Sequence, residues 1–376
     1  MRVKEGGEIV LLVGLSEGSM MDYLEIEGYK SIKKARVGLR SINILIGANG
    51  SGKSNFLSFF RFLNKLYNRK LDDYIALKGG ADKFLHNGGK ITPIIKFKTE
   101  FNNRAGVNGY MASIIAEQDR FIFLEERLVF QGDFGGNINR SQIEADIKLI
   151  DNSKTKKIRF YLEGLKKYHF HDTGSQSPFL KTSHIHNDSY FLYESGDNLA
   201  AFLYEINRAQ KIAYNNIVKT LQSIAPYFSD FYFNPNEAGY MRLQWTDRFS
   251  DMIYGAHDLS DGTLRFIALT ALFMQPKLPA TIIIDEPELG LHPAAIAKLS
   301  GMVKSAAAKK CQVIIATQSA DLIGHFQAED IVTVDQLNGE SVFARLDSKD
   351  LEQWLDQYSI DELWKKNIIP TGQPNF

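Results

Sequence analysis

An α/β fold is predicted for this 376-residue chain by three observations. Compact apolar runs at Ile42–Ile46, Thr281–Ile284 and Val313–Ala316 read as strands buried on both faces. The first two are followed by apolar residues at helical spacing, over Asn55–Leu66 and Ala294–Ala308. Between Lys90 and Ile150 the pattern changes to alternating or short apolar runs separated by turn residues, which predicts an antiparallel sheet in a β-rich first lobe.

The elements follow in order. Strands are expected at Leu24–Ile26, Ala35–Val37 and Ile42–Ile46, then the helix over Asn55–Leu66. Ile91–Phe101, Met111–Glu117 and Phe121–Phe130 form the antiparallel sheet, with turns at Asn102-Asn103 and Gly132, and Ile158–Phe170 is expected to continue it. Asp172–Asp188, rich in Ser, His and Gly, reads as a loop, and Asn198–Ile224 as a helical insertion. A helix over Gly262–Met274 precedes the acidic strand, and Ile331–Val334 and Val342–Leu346 close the pattern. No sustained heptad is visible, so no long coiled coil is expected. The resulting division is a leader or cloning-derived segment at 1–20 and a head at 21–376. Within the head, 21–170 is the N-terminal lobe, 171–250 the loop and helical insertion, 251–346 the second lobe and 347–376 an acidic helical tail.

Composition narrows the classes. Lys plus Arg and Asp plus Glu both number 44, so net charge is zero, and 44% hydrophobic residues argue against disorder. The balance conceals segregation. Lys30, Lys33, Lys34, Arg36 and Arg40 form one basic run; Arg61, Lys65, Arg69 and Lys70 another; Lys154, Lys156, Lys157, Arg159, Lys166 and Lys167 a third. An N-terminal basic surface for DNA is therefore possible in principle. Cys311 is the only cysteine, which excludes an intrachain disulfide and suggests a reducing, cytoplasmic setting. No apolar run is long enough to span a bilayer, and no membrane partner is expected.

Gly47-Ala48-Asn49-Gly50-Ser51-Gly52-Lys53-Ser54 matches G-x-x-x-x-G-K-[ST], between a buried strand and an amphipathic helix. Such a loop turns successive backbone N–H groups toward phosphate oxygens, and the helix start adds partial positive charge. Lys53 can reach the β- and γ-phosphates of ATP and Ser54 can ligate Mg²⁺. Asp285 and Glu286 end the second apolar strand; Asp285 suits a Mg²⁺ ligand and Glu286 a residue that orients or deprotonates water. Leu259-Ser260-Asp261-Gly262-Thr263 offers N-cap residues at a helix start, where an anion can bind. His169 and His171 alternate, as do His184 and His186, but no carboxylate-rich motif accompanies them, so they read as ordinary histidines.

The order of phosphate loop, Ser260-Asp261-Gly262, acidic strand and Ala316-Thr317-Gln318-Ser319 resembles ABC-type P-loop ATPase heads of the SMC/RecF-like group. The opening Leu24–Ser31 and Asn55 after the loop resemble it too. The nearest likeness is to bacterial AAA_21-type ATPases, related to the OLD ATPase domain but without a Toprim domain. The resemblance implies ATP hydrolysis and a head-to-head homodimer formed on ATP binding. Ser260, Asp261 and Gly262 of one copy would then face the nucleotide held by Asn49–Asn55 of the other. It also implies Glu286 as catalytic base, Gln318 at the switch position, and a separate effector such as a nuclease, in DNA repair or anti-phage defence. Two departures stand out: Asp261 replaces the commoner glycine, and the glutamine loop has only Gln118 and Gln131 as candidates. An ABC-transporter subunit and a nucleotide-sensing scaffold are the alternatives.

Overall fold

The computed structural model describes residues 4–5, 8–9, 20–101, 108–130, 133–151, 155–174, 176–369 and 371. Most of the 1–20 segment, and the expectations placed on Asn102-Asn103, Gln131, Gly132 and Lys154, lie outside these residues.

After a short antiparallel pair at Lys4–Glu5 and Glu8–Ile9 come five elements: β1 (Met21–Tyr29), β2 (Ile32–Gly38), β3 (Ile42–Ile46), α1 (Lys53–Tyr67) and α2 (Leu71–Leu77). The antiparallel strands follow as β4 (Ile94–Phe101), β5 (Gly109–Glu117), β6 (Arg120–Phe130) and β7 (Asp133–Asn137). They form a six-stranded sheet in the order β2-β1-β4-β5-β6-β7.

Residues Ile158–Phe170 do not continue that sheet. Lys156–Gly164 is a helix, α3, burying Ile158, Tyr161 and Leu162 at i, i+3 and i+4. Leu165–Tyr168, β8, instead pairs in parallel with the acidic strand, placing Leu165 opposite Thr281. This edge strand is four residues long and carries two lysines, so it has too little period to reveal its sheet. The helical insertion is two helices, α4 (Leu199–Ala209) and α5 (Lys211–Gln222), broken at Gln210. After them comes a three-stranded antiparallel sheet that the periodicity did not nominate: β9 (Phe228–Phe231), β10 (Gln244–Asp247) and β11 (Ile253–Gly255). Trp245 holds it by stacking on Phe228 and on Tyr254 at 6.0 and 4.9 Å.

The remaining elements are α6 (Asp261–Met274), β12 (Thr281–Asp285), α7 (Pro293–Ala308), β13 (Gln312–Thr317), β14 (Ile331–Leu337) and β15 (Glu340–Arg345). The central sheet runs β8-β12-β13-β3-β14-β15, parallel except for the β15 edge. Its strands read as continuous apolar runs because alternate residues serve two cores. Ile44, Ile282, Ile284, Val313 and Ile315 pack into one with α4–α7. Leu45, Ile283, Ile314 and Val332 pack into the other with α1 and the antiparallel sheet. In that second core Phe59 meets Tyr29 and Phe97 edge-on and stacks on Phe62. Among the described residues no helix is longer than the 16 residues of α7, and none is long and apolar enough to cross a membrane. The acidic C-terminal stretch is anchored rather than trailing: Ile360, Leu363, Trp364 and Ile369 are buried in the first core, and Trp364 donates to Thr371.

Candidate functional site: a phosphate loop facing an acidic strand

The loop between β3 and α1 is shaped by its glycines. Gly50 and Gly52 have φ of 79° and 113°, in the left-handed region. A Cβ on Gly52 would stand 2.0 Å from Ser341 Oγ, so the loop passes tightly against β15. Ser341 in turn donates to the Ser51 carbonyl at 2.7 Å and fixes the loop from behind. Lys53, at the first turn of α1, is buried and donates to the carbonyls of Gly47 and Ala48 at 2.7 and 2.8 Å. Burial lowers the affinity of its ammonium for a proton, opposed by the nearby Glu286 and Asp285.

Parallel pairing of β12 with β13, and of β13 with β3, carries the acidic strand end to the same edge of the sheet as the loop. Asn49, Gly50, Gly52, Lys53, Ser54 and Asn55 line one cavity of about 440 Å³ with Asp285, Glu286 and Gln318. Glu286 takes a left-handed φ of 41°, uncommon for a residue with a side chain, and its N–H donates to the Ala316 carbonyl at 2.7 Å. Gln318 Nε2 donates to Glu286 Oε1 at 2.8 Å and to Asn49 Oδ1 at 2.7 Å, joining the acidic strand to the loop.

The site contains residues for which sequence reasoning had no role. Lys167 pairs with Asp285 Oδ2 at 2.9 Å, both side chains largely buried. His171 Nε2 lies 2.9 Å from the Asp285 carbonyl, and His169 and His171 line the cavity with their rings 4.5 Å apart. Arg265 of α6 donates to the carbonyls of Phe170 and His171 at 3.0 and 3.1 Å and holds this segment in place. The available signal was the alternation of His169 and His171 just after a short strand. Gln118 instead occupies the β5–β6 turn at φ 55° and does not line the cavity. Among the described residues no group of three His, Cys, Asp or Glu side chains could hold a metal by itself.

Ser260, Asp261 and Gly262 stand outside this lining, at the exposed start of α6. Ser260 Oγ accepts from Thr263 N–H at 3.2 Å and caps the helix. A Cβ on Gly262 would stand 2.3 Å from the Gly290 carbonyl, so this helix start packs on the turn after Glu286. Beneath that turn Glu288 is buried: Oε1 accepts from Thr317 Oγ1, and Oε2 has no partner among the described residues. Burial pushes its carboxyl up to about 7, with Glu286 adding to the shift and the Thr317 hydrogen bond opposing it.

The residues fit a nucleotide with its cation. The glycine loop leaves open space where a Gly50 side chain would stand, Ser51 Oγ is buried without a partner, and Asp285 keeps Oδ1 free of hydrogen bonds among the described residues. The parallel central sheet, the phosphate loop and the acidic strand end together make the fold of a P-loop NTPase head. The chain belongs to the AAA_21 family, described as "AAA domain, putative AbiEii toxin, Type IV TA system", whose model matches residues 42–324. Two solved structures share the fold. One is an Smc head bound to the C-terminal winged-helix domain of ScpA: TM-score 0.58, 15% identity, covering 89% of this chain and 99% of that one. The other is an Smc head with an extended coiled coil bound to the C-terminal domain of ScpA, derived from Pyrococcus furiosus: TM-score 0.54, 16% identity, covering 90% and 99%. No curated protein sequence matches the chain.

Proposed function

We propose that the chain is a Mg²⁺-dependent ATPase that closes head-to-head on a second copy when ATP binds and opens on hydrolysis. It would act as a switch on DNA or on a separate DNA-acting effector such as a nuclease, in repair or anti-phage defence. The observation that carries the reading is the hydrogen-bonded chain Asn49–Gln318–Glu286 across the cavity that also holds Lys53 and Asp285. It joins the phosphate loop to the group that would activate water.

The roles divide by position. The backbone of 49–54 and Lys53 would bind the phosphates, Lys53 exchanging its loop carbonyls for phosphate oxygens. Ser54 and Asp285 would hold Mg²⁺, which when bound neutralises charge between the β- and γ-phosphates. Glu286 would take a proton from the attacking water while Gln318 holds its carboxylate in line. Ser260 and Asp261 are exposed, and with the half-buried Gly262 they stand outside their own chain's cavity, which supports contact with a nucleotide on the other copy. The Smc heads of like fold are bound to ScpA, which supports an effector that docks on the head.

The test uses Glu286→Gln. This variant is expected to bind ATP, hydrolyse it at least roughly a hundredfold more slowly, and accumulate as a dimer by light scattering. Wild-type turnover in the variant would remove Glu286 from catalysis, and a monomer at saturating ATP would remove the sandwich. The family's description favours a second reading, a toxin of a toxin–antitoxin pair. Growth arrest on expression, abolished by Lys53→Ala, is the outcome that reading requires.

A further inference from the structure

A second cavity, of about 970 Å³, adjoins the first and shares only His169 with it. Its walls come from the outer face of α1, from α2 and the turn after it, from β8 and from residues 191–197. Seven cations line it against three carboxylates, Asp172, Glu194 and Asp197. Lys167 is paired with Asp285, but Lys30, Arg61, Lys65, Lys78, Lys83 and Lys166 form no ion pair with any described residue. The basic run that the sequence emphasises behaves differently. Lys33, Lys34 and Arg36 are paired with Glu340, Glu27 and Glu25 across β1, β2 and β15. Three of the five cations of the N-terminal run are thus spent in ion pairs, whereas six of the basin's seven are not.

The basin's cations outnumber its carboxylates seven to three. Burial, with Lys167 and Lys78 adding repulsion, lowers the Lys30 ammonium to about 8. A concave surface of one sign concentrates field and draws in a polyanion. Its rim adds a second kind of contact. Phe191 is 51% exposed and Tyr190 beside it 61%, and the Lys166 ammonium stands 3.8 Å over the Phe191 ring. Exposed rings next to unpaired cations offer stacking for bases and neutralisation for phosphates.

We propose that this basin binds single-stranded nucleic acid, its phosphates taken by the Arg61, Lys65 and Lys78 wall and an unstacked base by Phe191. A duplex hides its base faces and leaves the Phe191 ring unused. The cations come from α1, the turn after α2 and β8, a spread that suits successive phosphates along a strand. The proposal deepens the nucleic-acid part of the functional reading. Because binding is read without ATP, its failure leaves the ATPase standing, and loss of ATP hydrolysis leaves the basin untouched.

The experiment is fluorescence anisotropy on the full chain, without nucleotide, using a labelled single strand of about 15 nucleotides and a hairpin duplex of the same composition. The single strand is expected to bind more tightly. Lys65→Glu with Lys78→Glu should weaken it roughly tenfold or more and flatten the salt dependence. Phe191→Ala should weaken it by about fivefold or more with the salt dependence retained. Lys33→Glu with Lys34→Glu, outside the basin, should leave it unchanged. Thermal melting and ATP binding of each variant verify the fold. Wild-type affinity in the Lys65/Lys78 variant, equal or tighter binding of the duplex, or displacement by a mononucleotide at similar concentration would overturn the proposal.

Discussion

Glu288→Gln should change how stability depends on pH. The Glu288 carboxyl lies beneath the turn after β12, with one oxygen on Thr317 and the other without a partner among the described residues. Its value is about 7 in the folded chain against 4.5 for an ordinary glutamate. The folded chain thus holds this proton more tightly than the unfolded chain. The group's contribution to stability is fully present below 4.5 and is lost as pH rises through about 7. The difference, at about 1.36 kcal/mol per pH unit, amounts to about 3 kcal/mol. Glutamine cannot ionise, so the variant should escape that loss. Urea denaturation of both proteins at intervals from pH 4.5 to 8 measures it. The variant's advantage should grow from low to high pH by about 3 kcal/mol, most of it gained before pH 7. Parallel curves across that range would show that Glu288 is not held protonated by its surroundings, and the account of this turn would fail.

Three further outcomes follow from contacts around the site. Gly52→Ala forces a side chain into a left-handed φ of 113° and against Ser341, so it should lose about 3 kcal/mol in urea denaturation and abolish ATP binding measured by calorimetry. Gln318→Ala removes the bonds to both Glu286 and Asn49, so steady-state turnover should fall roughly tenfold or more while ATP affinity is kept. Arg265→Ala, at a buried position, deprives the Phe170 and His171 carbonyls of their donors and should cost about 3 kcal/mol in urea denaturation.

Most of the central sheet was legible because its strands are buried on both faces and appear as compact apolar runs. Ile42–Ile46 matches β3 residue for residue, and Thr281–Ile284 falls one short of β12. The shortest strands were not. β8 is four residues long, and two of them are lysines; β9 to β11 are equally short, and their order rests on Trp245 stacking on partners from both neighbouring strands. Gln118, one of the two glutamine-loop candidates, does not line the cavity. The segment that lines the cavity beside Asp285 is His169–His171, placed there by β8 pairing and by Arg265, and neither cause leaves a mark in the local sequence.

The sequence by itself determined the phosphate loop, the acidic strand end and the helix start at Ser260, because each depends on glycine conformations, capping groups and apolar runs within a few neighbouring residues. The tertiary structure decided which charges are free and which are spent. Lys33, Lys34 and Lys166 are alike in sequence, yet the first two are paired with Glu340 and Glu27 while Lys166 faces a basin. Lys167 reaches Asp285 across 118 positions of chain. Coulomb energy depends on distance in space, and only the packing of β8 against β12 brings those two groups to 2.9 Å.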